Sequence, residues 1–157
     1  MISNANDLLK FFMDRLKGRD LIYRKFEPGL YIWSQFSSET LSCFALAKEQ
    51  GAGRYSFMFC CHVLAIPPEV RAHEYHKMHI RILIERELDE EIRQIIDLED
   101  QSYRDESREI LMDSIVENYI IPALNFMRSI DGVRTMLRKQ IVYRQHLTYQ
   151  SVNHLLD

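Results

Sequence analysis

The sequence predicts an α+β domain: an N-terminal helix, an antiparallel sheet of four or five strands, and three C-terminal helices packed on that sheet. Three observations predict it. The opening residues place apolar side chains at helical spacing. Residues 21–66 change to aromatic and β-branched runs divided by turn residues. From Leu88 onward the helical spacing returns.

Residues 4–17 read as the first helix, with Leu8, Leu9, Phe12, Met13 and Leu16 as its apolar stripe, Ser3 or Asn4 as its cap and Gly18 as its stop. Residues 21–27 and 30–36 form a hairpin about Pro28-Gly29, a strong turn signal. A third strand covers residues 41–48. The Gly51-Ala52-Gly53 turn leads to a fourth over residues 54–66, apolar on both faces and therefore central. Pro67-Pro68 ends the main sheet, and Pro68 suits the first position of a short helix through Lys77. In residues 78–86, Met78, Ile80, Ile82 and Ile84 alternate with other residues, which favours a fifth strand over a helix.

Beyond Leu88 the first stripe is Leu88, Ile92, Ile95 and Ile96. A polar link at residues 100–105 precedes a helix carrying Ile110, Leu111, Ile115, Tyr119 and Phe126, in which Pro122 should force a kink. Asp131 is the expected cap of a last helix with Val133, Leu137, Ile141, Thr148, Val152 and Leu155 inward. This layout is similar to that of many small bacterial binding and immunity proteins, an arrangement shared by proteins of many functions.

The 157 residues fit one domain, 1–157, without internal repeat or linker. Such a chain buries roughly two thirds of its unfolded surface without disulfides or metals. A net charge of −3 argues against a dedicated nucleic-acid binder. No apolar run approaches the ~20 residues that span a bilayer, and charges interrupt the amino terminus where a signal peptide needs an unbroken apolar core. No nucleic-acid or membrane partner is expected, and the expected location is cytoplasmic. Cys43, Cys60 and Cys61 read as free, buried thiols, because adjacent strand residues point to opposite faces and cannot easily pair.

Charge divides unevenly: residues 85–117 carry thirteen acidic side chains against four arginines. On two consecutive helices, residues 88–99 and 106–117, these acids form an outer face able to receive a basic partner. The residues expected to contact it are Glu87, Glu90, Glu91, Glu106, Glu109 and Asp113, joined by Tyr31 and Trp33, which share one face of the second strand. Interleaved Arg86, Arg93, Arg104 and Arg108 favour salt links on a solvated face over acid–base chemistry.

Two enzymatic or ligand-binding alternatives stand beside this reading. His73 and His76 can share a zinc ion, with Glu74 as base for a metal-bound water. Their spacing of three departs from the zincin signature, which separates its histidines by four, and no metal or other cofactor is expected. Alternatively, a small molecule binds at the sheet face near Trp33. The basic, aromatic flank Arg134, Arg138, Lys139, Tyr143, Arg144 and Tyr149 is expected to pair with the acidic helices or pack inward. No phosphate loop, nucleophile elbow or EF-hand pattern is present. The preferred expectation is a non-enzymatic protein-binding module, an immunity or antitoxin protein that neutralises a basic nuclease-like toxin.

Overall fold

The computed structural model describes residues 2–49, 55–84, 88–98, 105–138, 147–148 and 154–155. Helix α1 (Ala5–Leu16) begins where the Asn4 side chain accepts the Asp7 amide at 3.0 Å, and Asp7 in turn accepts from the Ser3 amide and hydroxyl. Gly18, at φ 75°, follows its end. Both features are those that the first residues predict.

The sheet is an antiparallel meander in strand order β1-β2-β3-β4-β5-β6. Its strands are β1 (Ile22–Glu27), β2 (Leu30–Phe36), β3 (Thr40–Lys48), β4 (Tyr55–Val63), β5 (Ile80–Leu83) and β6 (Leu147–Thr148). Strands β3 and β4 are central and almost wholly buried, β4 as expected for a run apolar on both faces. Strand β1 is the opposite case: it lies at the edge and all six of its residues are exposed.

The alternation of strand side chains divides the interior into two cores. On one face Trp33, Phe44, Phe57 and Phe59 meet α1, whose Phe12 ring lies 6.2, 5.1 and 5.6 Å from those of Trp33, Phe44 and Phe57. On the other face Ile32, Cys43, Ala45 and Cys60 are roofed by Val70 and Met78. That smaller roof comes from the segment between β4 and β5. It contains a cis Pro67-Pro68 bond and a 3₁₀ turn at Ala72–Lys77. The turn starts at Ala72, four residues later than Pro68 led one to expect, because Glu74 sets its start by accepting the Arg71 amide at 3.0 Å. Cys60 and Cys61 belong to opposite cores, and all three cysteines are free and buried.

The helical layer comprises α2 (Glu90–Ile96), α3 (Asp105–Ile115), α4 (Ile121–Phe126) and α5 (Ile130–Arg138). A π turn at Val116–Ile120 joins α3 to α4. Pro122 has no amide to return to Asn118, and the irregularity expected there takes the form of this turn, with the Ile121 amide reaching back to the Val116 carbonyl.

Four expectations need correction. Met13 is exposed, and the buried face of α1 runs through Leu8, Phe11, Phe12 and Leu16. Ile110 is 67% exposed, and the buried stripe of α3 instead runs through Arg108, Met112, Ile115 and Val116, the i, i+4, i+7, i+8 rows of a helix face. The α5 cap is Ser129, whose hydroxyl accepts the Gly132 amide at 2.9 Å, while Asp131 lies within the first turn. Thr148 lies on a strand: Leu147 and Thr148 pair with Arg81 and Ile80, covering the first half of the outer edge of β5. The expected helix positions Ile141 and Val152 lie outside the described residues.

Candidate interaction surfaces

The acidic block is spent partly inside the molecule. Arg15 of α1 donates from Nε to Asp113 Oδ1 at 2.5 Å and from Nη2 to Asp113 Oδ2 at 3.2 Å, and lies 3.7 Å from Glu109. Arg19 pairs with Glu117 at 2.6 Å. The cations that neutralise α3 and the π turn following it thus come from α1 and the turn after α1. Among the arginines within the block, Arg108 is turned inward, donating to the Ile2 and Asp97 carbonyls at 3.1 Å each. Glu90 and Glu91 on α2 are exposed in the first turn of their helix, where the macrodipole favours carboxylates. Glu87 and the side chain of Glu106 lie outside the described residues.

Trp33 and Tyr31 share a face, as their parity in β2 requires, but that face is the helix-covered one. Trp33 is 2% exposed and packs among Phe12, Tyr23 and Phe44, so it lines the core rather than a pocket wall or docking surface. Tyr31 is half-buried beside Tyr55.

The histidines separate in the same way. His73 is exposed, with its ring 5.2 Å from that of Phe26, and His76 is exposed beside Tyr75. Glu74, the base of the metal alternative, is held by the Arg71 amide and Lys77, which lower its pKa. His79 is buried against His62 in another part of the fold. Among the described residues no group of three or more His, Cys, Asp or Glu side chains is placed to hold a metal ion. On the basic flank, Arg134 pairs with Asp131 at 2.6 Å and donates to the Leu155 carbonyl at 2.6 Å. Lys139, Tyr143, Arg144 and Tyr149 lie outside the described residues.

The surface that the sequence did not single out is the β1 edge. Large apolar side chains stand exposed there: Ile22, Tyr23 and Phe26 on β1, and Phe36 at the end of β2. Among the described residues these are four of seven such exposed side chains. Arg24 and Lys25 lie between them, the latter with its ammonium 5.8 Å from the Tyr31 ring centre. Edge strands usually carry features that prevent pairing with another chain; β1 has Arg24, Lys25 and a register shift between Lys25 and Glu27, but its exposed apolar side chains do the reverse.

The β1–β2 ladder ends at the pair Ile22–Ser34, whereas β2 continues to Phe36. An open cleft of about 320 Å³ lies at this step, lined by Asp20, Ile22, Gln35, Phe36, Ser37 and Arg128. Its floor is held rigidly. Gln35 Nε2 donates to Ser42 Oγ at 2.9 Å and to the Leu124 carbonyl at 2.5 Å, leaving Oε1 to accept from Arg128 Nε at 3.2 Å. Thr40 donates to the Met127 carbonyl at 2.5 Å, and Glu39 accepts the Ile130 amide at 2.6 Å. Side chains of β2, β3 and the turn between them therefore satisfy the carbonyls ending α4 and an amide starting α5, which fixes the turn carrying Arg128. A sequence signal for this site exists: Gln35, Thr40 and Ser42 put polar groups at the strand parity otherwise occupied by Trp33, Phe44 and Leu46.

Among the described residues no helix is long and apolar enough to cross a membrane. Comparison with protein-family models, curated proteins and solved structures finds no match to this chain.

Proposed function

We propose that this chain is a non-enzymatic, cytosolic protein-binding module, and that an extended segment of a partner polypeptide docks along the open edge of β1. The observation that carries this reading is the concentration of exposed Ile22, Tyr23, Phe26 and Phe36 at an edge strand with no neighbouring strand on its outer side among the described residues. Strand addition obtains affinity from main-chain hydrogen bonds and specificity from alternate side chains, and β1 offers both. Arg24 and Lys25 favour a partner segment with acidic residues among its apolar ones.

The test is capture of partners from native lysate with wild-type protein and with an Ile22→Asp/Phe26→Asp double variant. Both positions are exposed, so the fold should survive, and an unchanged melting temperature checks that. Capture should fall by about tenfold or more. Undiminished capture by a folded variant overturns the edge reading.

A second reading keeps the acidic face as the docking surface, with the chain as a bacterial immunity or antitoxin protein for a basic nuclease-like toxin. Glu90 and Glu91, exposed at the start of α2, favour it. It predicts binding that weakens steeply with salt and is abolished by charge reversal at Glu90, Glu91, Glu106 and Glu109. A partner indifferent to both treatments removes it.

A further inference from the structure

The step at the β1–β2 edge has the chemistry of a specific site. We propose that it recognises a single carboxylate carried beside an apolar side chain, as found at the C-terminal residue of an extended polypeptide. This rests on the protein-binding reading and specifies the end of the partner that is bound.

Three features point to that ligand. First, Arg128 is aimed: its Nε is bonded to Gln35, itself 94% buried and fixed through Ser42 and Leu124, so the Nη edge of the guanidinium is left for a ligand. Among the described residues no carboxylate lies within ion-pairing distance of it. A planar guanidinium with a fixed Nε matches a carboxylate in a defined orientation. Second, Ile22 and Phe36, 48% and 64% exposed, supply apolar surface in the same cleft. Third, Asp20 lines the cleft as well, at a left-handed φ of 57°. A carboxylate on the cleft wall opposes phosphate and other dianions more than a single carboxylate seated on Arg128, and Asp20 can accept an N–H of the ligand.

The geometry also favours a chain end over a passing segment. Because β2 outruns β1, Gln35 and Phe36 have β3 on one side and, among the described residues, no strand on the other. A polypeptide terminus can enter this short step without having to continue past the turn that carries Asp20. Its terminal carboxylate meets Arg128, its last side chain meets Ile22 and Phe36, and its preceding residues lie outside β1.

The proposal is tested on the whole chain by NMR titration with three probes: an acetylated tetrapeptide ending in Val-Leu as the free acid, the same peptide as the C-terminal amide, and inorganic phosphate. The free acid should give saturable shifts at Ile22, Phe36, Ser37 and Arg128, with the amide and phosphate about tenfold weaker or worse. Arg128→Gln, at an exposed position, should lose acid binding by a similar factor while leaving shifts in the β3–β4 core unchanged, and Phe36→Ala should weaken it several-fold. Absence of saturable shifts at millimolar acid overturns the site, as do equal binding of acid and amide or full affinity in Arg128→Gln. Acetyl-leucine binding as tightly as the tetrapeptide overturns the polypeptide as the ligand and identifies a small-acid site. No partner is used in the titration, so its failure leaves the edge reading standing. Failure of the lysate capture, with the titration positive, removes that reading alone.

Discussion

Two histidines, His62 and His79, sit buried with their rings stacked 4.3 Å apart and inclined by 22°. The Val63 amide donates to His79 Nδ1 at 3.0 Å, and His62 Nδ1 is buried without a hydrogen-bond partner among the described residues. Burial, reinforced by His62, lowers the pKa of His79 to about 4, and burial lowers that of His62 against a smaller opposing effect of Glu69. Both rings are therefore neutral in the folded chain, while the unfolded chain takes up protons near the ordinary value of about 6.5. Because the unfolded state binds more protons below that value, His79 contributes stability above about pH 6.5 that is lost as pH falls toward about 4, and the lowered pKa of His62 acts in the same direction. Asp7 and Glu74, whose pKa values are lowered by hydrogen bonds to Ser3 and to the Arg71 amide, lose their contributions only at lower pH. The urea midpoint should thus drop between about pH 7 and pH 5, and His79→Gln should flatten that slope. A midpoint independent of pH in this window contradicts the assignment.

At the scale of elements, the β1–β2 hairpin depends on one backbone conformation. Gly29 has φ 86°, as the third position of a type II turn after proline requires, and its carbonyl accepts the Lys48 amide at 2.7 Å. A Cβ on Gly29 would come within 2.9 Å of Lys48 Cβ, whereas one on Gly18, also at positive φ, meets nothing within 4 Å. Gly18→Ala should therefore cost about 1 kcal/mol from its backbone conformation alone. Gly29→Ala should cost more, about 2 kcal/mol, because Lys48 must also move. Equal losses in chemical denaturation count against the close approach. The same hairpin holds Ile22 and Phe36 at the candidate docking edge, so loosening it should weaken partner capture as well.

Across the whole molecule, Arg108 ties together parts far apart in sequence. From α3 it donates to the Ile2 carbonyl before α1 and to the Asp97 carbonyl at the end of α2. Removing the guanidinium strands buried acceptors, so Arg108→Ala should destabilise the fold by about 2 kcal/mol or more. The half-exposed Arg15–Asp113 pair is a useful control: Asp113→Asn should cost about 1 kcal/mol or less, as ion pairs near the surface usually do. Denaturation midpoints that rank these two changes the other way contradict the roles given to them.

Sequence alone determined the class and most of the sheet. The helical spacing of Leu8, Phe12 and Leu16, the Pro28-Gly29 turn and the two-sided apolar run of β4 are local patterns, and each reports the burial period of its own segment. It also placed Cys60 and Cys61 on opposite faces, since neighbours in a strand alternate. Only tertiary structure decided which polar groups remain available. Arg108 and Ile110 exchanged their expected sides because the whole helix face, and not the polarity of one residue, sets which side is buried. Arg15 reaches Asp113 across 98 residues of sequence. Trp33, an attractive docking residue by composition, went under α1, while Ile22 and Phe36 were left exposed because β1 is the last strand of the sheet. Strand order is a long-range property that no local pattern encodes. It left the β1 edge open, and with it the cleft in which Gln35 aims Arg128.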